Sequence, residues 1–305
     1  MCFINNFKKN IPLAPYTTFK IGGPAKYFFE AKNSGDLIKA VKSAKKAKVP
    51  FFILGGGSNI LVSDKGFDGL VIKIQNTRLA CPSGRRAGRQ AKYEIQDTRI
   101  LADAGALLSK LVDESMKRGL IGLEWAAGIP GTAGGAVRGN VSAFGTSMSD
   151  VVKSVEALKM TELRIKNYES GECKFEYKES AFKHNKDIIL SVELGLEKGD
   201  RKESKKKIEE YLAYRDKHQP LEYPSAGCVF KNPSGQHAGY LIEQCELKGK
   251  KIGNAMISKK HANFIVNIGN AKAKDVKKLI DLCKEKVKEK FKIKLEEEIE
   301  YLGEF

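Results

Sequence analysis

"ILGGGSNILVSDKGFDGLVI", residues 53–72, runs an apolar stretch into three consecutive glycines and returns to a second apolar stretch. Glycines that follow a strand permit backbone torsions closed to other residues and let a ligand approach the main chain. The N–H groups of Gly55, Gly56 and Gly57, with the side chains of Ser58 and Asn59, are suited to cradle a phosphate or pyrophosphate. The spacing is neither G-x-x-x-x-G-K-[ST] nor a G-x-G-x-x-G that opens a helix. It therefore supports neither a P-loop nor a standard dinucleotide fold. On the glycines alone, a tight and permissive loop accounts for the segment equally well.

A second tract, "GLEWAAGIPGTAGGAVRGNVSAFG" (122–145), holds seven glycines and almost no charge beyond Glu124 and Arg138. A surface connector is seldom so poor in charge. Backbone of this kind suits packing against a flat, largely apolar ligand such as an isoalloxazine ring.

Around these tracts the periodicity alternates between helix and strand. "DLIKAVKSAKKAK" (36–48) and "ALLSKLVDESMKRG" (106–119) carry apolar residues at helical spacing, and Gly119 stands where helices commonly end. "GLVIKI" (69–74), "VVKSVEALKM" and "IILSVELGL" alternate as half-buried strands do. The charged stretch "EKGDRKESKKK" (197–207) is the best linker candidate. After it, Ile208, Tyr211, Leu212 and Arg215 fall on one helical face. A last helix is expected over 275–291 and a strand over "EEIEYLG". The pattern predicts a two-part α+β protein.

Composition bounds the function. With 305 residues and 42% hydrophobic residues, the chain can bury two cores. The net charge of +17, from 54 Lys+Arg against 37 Asp+Glu, invites a polyanion partner. The lysines, however, lie on helical faces among apolar residues, without the interleaved aromatics of a stacking platform. The six cysteines (2, 81, 173, 228, 245, 283) form no CxxC pair, so no metal is expected. No secretory pattern opens the chain and no apolar run approaches the ~18 residues of a membrane helix. A soluble, cytoplasmic protein with reduced thiols is the expectation.

"SAGCVFKNP" (225–233) sets Cys228 beside Gly227, with Lys231 and Asn232 following. From these residues alone, a small buried core position is the ordinary reading of a free cysteine. A nucleophile or a proton donor are the chemical alternatives.

The chain resembles the UDP-N-acetylenolpyruvoylglucosamine reductases (UDP-N-acetylmuramate dehydrogenases, the MurB family) of peptidoglycan synthesis. The residues that carry the likeness are "TTFKIGGPA" (17–25), "GGGSNILVSDKGFDGLVI" (55–72), "GLEWAAGIPGTAGGAVRGN" (122–140), "QPLEYPSAGCVFKNP" (219–233), "AGYLIEQ" (238–244), "SKKHANFIVN" (258–267) and "LEEEIEYLG" (295–303). They occur in family order over nearly the whole chain. The resemblance implies an FAD-binding domain of the vanillyl-alcohol-oxidase type over 1–200, in two lobes of about 1–77 and 78–200, and a smaller α+β substrate domain over 201–305. Gly55, Gly56, Gly57, Ser58 and Asn59 would surround the FAD pyrophosphate, and Gly128, Ile129, Gly131, Thr132, Gly135 and Asn140 would line the rest of the flavin. The chain departs from the family's usual Asn-Ala-Gly-Ala, reading "NVSA" at 140–143.

The resemblance also implies the chemistry. NADPH reduces FAD and leaves; UDP-N-acetylglucosamine enolpyruvate then accepts a hydride at its terminal carbon and a proton at the adjacent one. Cys228 falls on the proton-donor position, where the family generally has serine. A thiol with an ordinary pKa near 8.5 remains mostly protonated at pH 7 and is a stronger acid than an alcohol. Glu298 matches the acid of the terminal block; by itself it reads as part of a solvated acidic strand face, and as an acid it needs burial to raise its pKa. The third position departs from the family: "YKES" places Lys178 where an arginine is usual. Lysine keeps the charge and loses the planar fork that grips a carboxylate at two points. Arg215, Lys217, Lys231 and Asn232 are candidates for the uridine diphosphate. His261 is assigned no role. A monomeric enzyme without nucleic-acid or membrane partners follows from this reading. The alternatives are another FAD-dependent oxidoreductase of the same fold and a basic polyanion-binding protein.

Overall fold

The computed structural model describes residues 7–75 and 93–305; the basic loop expected over 81–92, Cys2 and Cys81 lie outside them. The described chain forms two compact units that interleave along the sequence. One is built mainly from Phe29–Gly56 and Ile72–Ala213, the other from Lys8–Phe28, Gly57–Val71 and Tyr214–Phe305. The sequence suggests two domains placed end to end at 200/201. The chain instead passes to the second unit for good at Ala213/Tyr214, within the helix Arg201–His218. It also crosses between units within the strands Pro24–Ala31 and Phe67–Ile74 and at the three-glycine loop.

In the first unit, five antiparallel strands lie in the order Arg164–Glu169, Val152–Lys159, Ile188–Gly195, Arg99–Asp103 and Tyr93–Gln96. Val155, Ala157, Val192, Leu194, Ile100 and Ala102 are buried along them, as the alternation predicts. The helix Leu108–Lys117 buries Leu108, Leu111 and Val112 against the same core and ends before Gly119, which takes φ +66°. The helix Ser34–Lys46 begins at Asn33, whose side chain accepts a hydrogen bond from the Asp36 N–H at 2.8 Å.

The stretch 197–207 is ordered rather than a linker. Glu197–Lys198 pairs with Leu120–Ile121, and a single helix runs over Arg201–His218. Its charges lie on a solvated face where Lys205 and Lys206 pair with Glu209 and Glu210 one turn on. The inward face carries Ser204, Ile208, Tyr211 and Arg215, while Leu212, expected on it, is 43% exposed. The reason is a contact made across 80 residues. The Ser204 hydroxyl donates to Glu124 at 2.7 Å, and Glu124 also accepts from the Gly122 N–H at 2.8 Å. Satisfying this buried carboxylate fixes Ser204 on the inward face, and Ile208, Tyr211 and Arg215 follow it at helical spacing.

The second unit holds an antiparallel sheet in the order Ser225–Cys228, Phe264–Asn267, Ala255–Ile257 and Lys251–Ile252. The helix Ala273–Phe291 packs Val276, Leu279, Ile280, Cys283 and Val287 into its core. That helix has no cap from its own first residue; Asp64 supplies one, accepting from the N–H groups of Ala273 and Lys274 at 2.9 and 3.1 Å. Ile60–Val62 pairs in parallel with Glu300–Leu302, which draws the chain just after the glycine loop beside the C-terminal strand.

Candidate active site

In the second unit, Cys228 ends its strand opposite Phe264. The register slips between Ser225 and Cys228, with Gly227 at φ +76°, and a bulge of this kind re-aims the side chain beside it. The chain beyond Cys228 is held on both sides. The Phe230 N–H donates to Asn263 Oδ1 at 2.9 Å, and Asn263 Nδ2 donates back to Phe230 O at 2.8 Å. On the other side, the Glu298 N–H donates to Val229 O at 2.7 Å and the Lys231 N–H to Glu296 O at 2.8 Å. Cys228 and Glu298 therefore stand on neighbouring segments, both half-buried.

Arg215 joins them. It is 7% exposed, as its predicted inward position requires. Burial pulls its guanidinium below the ordinary arginine range, and the nearby Cys228 acts in the opposite sense. Lys231 Nζ lies 2.6 Å from Glu296 Oε1. Asn232 Oδ1 accepts from the Ala238 N–H at 3.0 Å at the start of the helix Ala238–Gln244. Lys217 is exposed. Of the glycine loop, this unit contains Gly57, Ser58 and Asn59. Gly57 has φ +67°, and a Cβ there would meet Tyr16 O at 2.2 Å, so no other residue fits. Asn59 Nδ2 donates to Glu298 O at 3.0 Å, and Asn59 O accepts from the Glu300 N–H at 2.9 Å.

The first unit contains Gly55 and Gly56 and the second glycine tract. A Cβ on Gly56 would stand 2.7 Å from Gly131 Cα, and one on Gly55 would stand 2.8 Å from Thr132 Oγ1. The two tracts thus meet backbone against backbone. Thr132 caps the short helix Ala133–Arg138, its hydroxyl accepting from the Gly135 N–H at 3.4 Å. Gly128 and Gly135 are exposed, and Ile129 packs against the core. Lys73, half-buried, donates to Gly55 O. Burial holds its ammonium below the ordinary lysine range, partly offset by Glu30. Main-chain amides, one half-buried cation and no carboxylate within 55–59 or 128–135 make a donor set that fits an anionic group with a flat apolar portion.

Asn140 is buried, and its side chain is engaged at both ends. Nδ2 donates to Glu176 O at 2.8 Å, and Oδ1 accepts from the Ser149 N–H at 3.0 Å. Ser142, at the family's glycine position, opens the hairpin Ser142–Ala143/Thr146–Ser147, whose turn residue Phe144 stacks on Tyr211 with centroids 4.1 Å apart. Lys178 is half-buried in the turn that follows Glu176, at φ +58°.

Comparisons with known proteins fit this geometry. The profile of the UDP-N-acetylenolpyruvoylglucosamine reductase C-terminal domain matches residues 219–302, and that of an FAD binding domain matches 25–163. The UDP-N-acetylenolpyruvoylglucosamine reductase of Caldanaerobacter subterraneus is 42% identical over 295 residues, covering 97% of this chain and 93% of that protein. The chain belongs to the UDP-N-acetylenolpyruvoylglucosamine reductase family. The member from Clostridioides difficile is 40% identical over 299 residues, covering 98% of this chain and 94% of its own. The crystal structure of the Thermus caldophilus MurB superposes with a TM-score of 0.77 at 35% identity, covering 97% of this chain and all of that one. The α+β fold, the flavin-binding domain and the family expected from the sequence are thereby established.

Within the reductase family frame, Cys228, Glu298, Arg215, Lys231, Asn232 and Asn59 gather in one unit, and Gly55, Gly56, Gly131, Thr132 and Gly135 in the other. Sequence reasoning overlooked Asn263 and Lys73. Asn263 lies in the quoted "HANF" block, but nothing local marks an amide that pairs with a backbone 33 residues away. Lys73 breaks the apolar run of "GLVIKI", which was the available signal. Cys173 and Cys283 are buried in cores, and burial pushes their thiols up to about 11 and about 12. No cluster of three metal-ligating side chains, and no helix long and apolar enough to cross a membrane, occurs among the described residues.

Proposed function

We propose that this chain catalyses the NADPH-dependent reduction of UDP-N-acetylglucosamine enolpyruvate to UDP-N-acetylmuramate, a step of peptidoglycan synthesis. The observation that carries the reading is the hydrogen bond from the Glu298 N–H to Val229 O, which sets a carboxyl group and a thiol on adjacent segments. FAD, when bound, supplies the hydride that reaches the terminal carbon of the enolpyruvyl group. Gly55, Gly56, Gly57, Ser58 and Asn59 would hold its pyrophosphate, with Lys73, bonded to Gly55 O, supplying positive charge to the loop; Gly128, Ile129, Gly131, Thr132, Gly135 and Asn140 would border its remaining length.

Cys228 gives the thiol proton to the carbon that bears the carboxylate, so the double bond becomes saturated and the thiolate recovers a proton from solvent. Arg215 beside it stabilises the thiolate while that proton is away. Glu298 and Lys178 meet the negative charge that develops next to the carboxylate. Lys217, Lys231 and Asn232 take the diphosphate. The reaction is assigned to a monomer acting in the cytoplasm, without nucleic-acid or membrane partners.

The test is a visible spectrum followed through both half-reactions without oxygen. The purified protein is expected to be yellow, to bleach with NADPH, and to regain colour on addition of UDP-N-acetylglucosamine enolpyruvate. Cys228→Ala is expected to bleach normally and to regain colour about 100-fold more slowly, the usual scale for a lost general acid, whereas Cys228→Ser recovers turnover. Full turnover in Cys228→Ala removes the thiol from the mechanism. A protein that takes up no FAD overturns the reading.

A further inference from the structure

Thr18 lies outside every assignment above, yet it touches two parts of the site in its unit. Its N–H donates to Gly57 O at 3.0 Å. Its hydroxyl donates to Ser225 O at 2.7 Å and stands 3.4 Å from Gly57 O. A hydroxyl carries one proton, and the shorter contact takes it, since Gly57 O already receives the amide. Thr18 thus joins the glycine loop to the first residue of the strand that ends in Cys228.

Asn59 makes the matching connection on the far side, through its amide to Glu298 O. The contacts close a ring. It runs from Gly57 to Thr18, to Ser225, along the strand to Cys228 and Val229, across to Glu298, to Asn59, and back through Ser58 to Gly57. Its four hydrogen bonds measure 3.0, 2.7, 2.7 and 3.0 Å. In a closed ring no member shifts without straining two contacts. The bulge interrupts the sheet pairing between Ser225 and Cys228, and the Thr18 hydroxyl adds a tie from outside the sheet at Ser225, where that irregular stretch begins.

We propose that Thr18 is a positioning residue for proton transfer: its hydroxyl, bonded to Ser225, holds the Cys228 strand in register with the cofactor loop at Gly57. This rests on the reductase reading given above. Displacement of a reacting group by about 1 Å costs about 100-fold in rate, so a partial shift is expected to cost about tenfold.

Thr18→Val removes the hydroxyl at nearly constant shape, Thr18→Ser keeps it, and Thr18→Ala is a second hydroxyl-free variant should the valine protein fail to fold. The flavin-loaded valine or alanine variant is expected to keep its flavin content and its rate of bleaching by NADPH within about twofold. Its reoxidation by UDP-N-acetylglucosamine enolpyruvate is expected to slow about tenfold, with a larger solvent deuterium isotope effect on that step. In the flavin-free protein, amide exchange over 225–230 is expected to quicken. Thr18→Ser restores the reoxidation rate, the isotope effect and the amide exchange. Reoxidation within about twofold of the parent overturns the proposal, as does an equal loss in flavin content, bleaching and reoxidation, which marks a purely structural tie. A serine variant as slow as valine overturns it too. If the parent protein itself is not reoxidised, the reductase reading falls and takes this proposal with it. If the parent is reoxidised and the hydroxyl-free variants match it, the proposal falls alone.

Discussion

Around Cys228 the chain is held by side chains that reach in from segments as far as 207 and 239 residues away, whereas the turn around Lys178 closes on its own backbone and is tied at its ends to Arg138 and Asn140, 42 and 36 residues away. Asn263, Thr18 and Asn59 reach Phe230, Ser225 and Glu298 across separations of 33, 207 and 239 residues. The Lys178 turn closes on itself. Glu176 and Glu179 exchange backbone hydrogen bonds at 3.2 and 3.1 Å, and Lys183 Nζ donates to Lys178 O at 2.5 Å. Asn140 and Ser180 fix its two ends, to Glu176 O and from Ser180 Oγ to Arg138 O at 2.7 Å. The hydrogen bonds that close this turn come from main-chain groups and from Asn140, Ser180 and Lys183, so exchanging lysine and arginine at 178 is expected to leave the fold in place. What changes is the chemistry, because the planar fork is lost while the charge stays.

The sharpest way to break this contrast is Asn263→Ala. It strips partners from both backbone groups of the buried Phe230 and is expected to cost about 2–4 kcal/mol of stability in urea unfolding. A loss below about 1 kcal/mol would show that the Cys228 segment does not rely on distant side chains. Lys178→Arg makes the complementary test. Flavin reoxidation is expected to speed up about tenfold, the worth of one added charge-assisted hydrogen bond, with stability unchanged within about 0.5 kcal/mol. A slower arginine variant, or one that shifts stability by more than about 1 kcal/mol, would mean that lysine is part of how the turn folds.

The smallest effect concerns pH. His261 is half-buried beside the Cys228 sheet, and its Nδ1 accepts from the Asn263 N–H at 3.3 Å. Burial foremost, then the charge of Lys248, push its pKa below the ordinary 6.5. The folded protein therefore keeps His261 neutral while the unfolded chain takes up a proton first as pH falls. The stability linked to this group is present above pH 6.5 and is lost as pH drops below that value toward the folded pKa. The urea midpoint should fall between about pH 7.5 and about pH 5.5 in the parent and fall less in His261→Gln. Equal losses in both proteins would remove His261 as the source and leave Asn263 anchored by other means.

The sequence was informative wherever the signal was local. The helix over Leu108–Lys117, its glycine end, and the alternation of Val152–Lys159 and Ile188–Gly195 follow from residues within one or two turns of one another. The inward place of Arg215 was also visible, though Leu212 was assigned to the same face because the pull of Glu124 on Ser204 crosses 80 residues. The charged stretch 197–207 looked like a linker because its charges have the composition of one, while their spacing pairs them along a helix.

Family, cofactor class and the identity of the candidate acids come from ordered blocks of residues, and these are properties of the chain as written. Which glycines face backbone and which face open surface, which amide anchors Phe230, why Asp64 matters to a helix 209 residues away, and how Thr18 meets Ser225 were decided only by tertiary structure. The physical reason is the range of the interactions. Periodicity reports hydrophobic burial by neighbours a few residues apart, whereas a hydrogen bond between distant segments has no period and leaves no local pattern until the chain has folded.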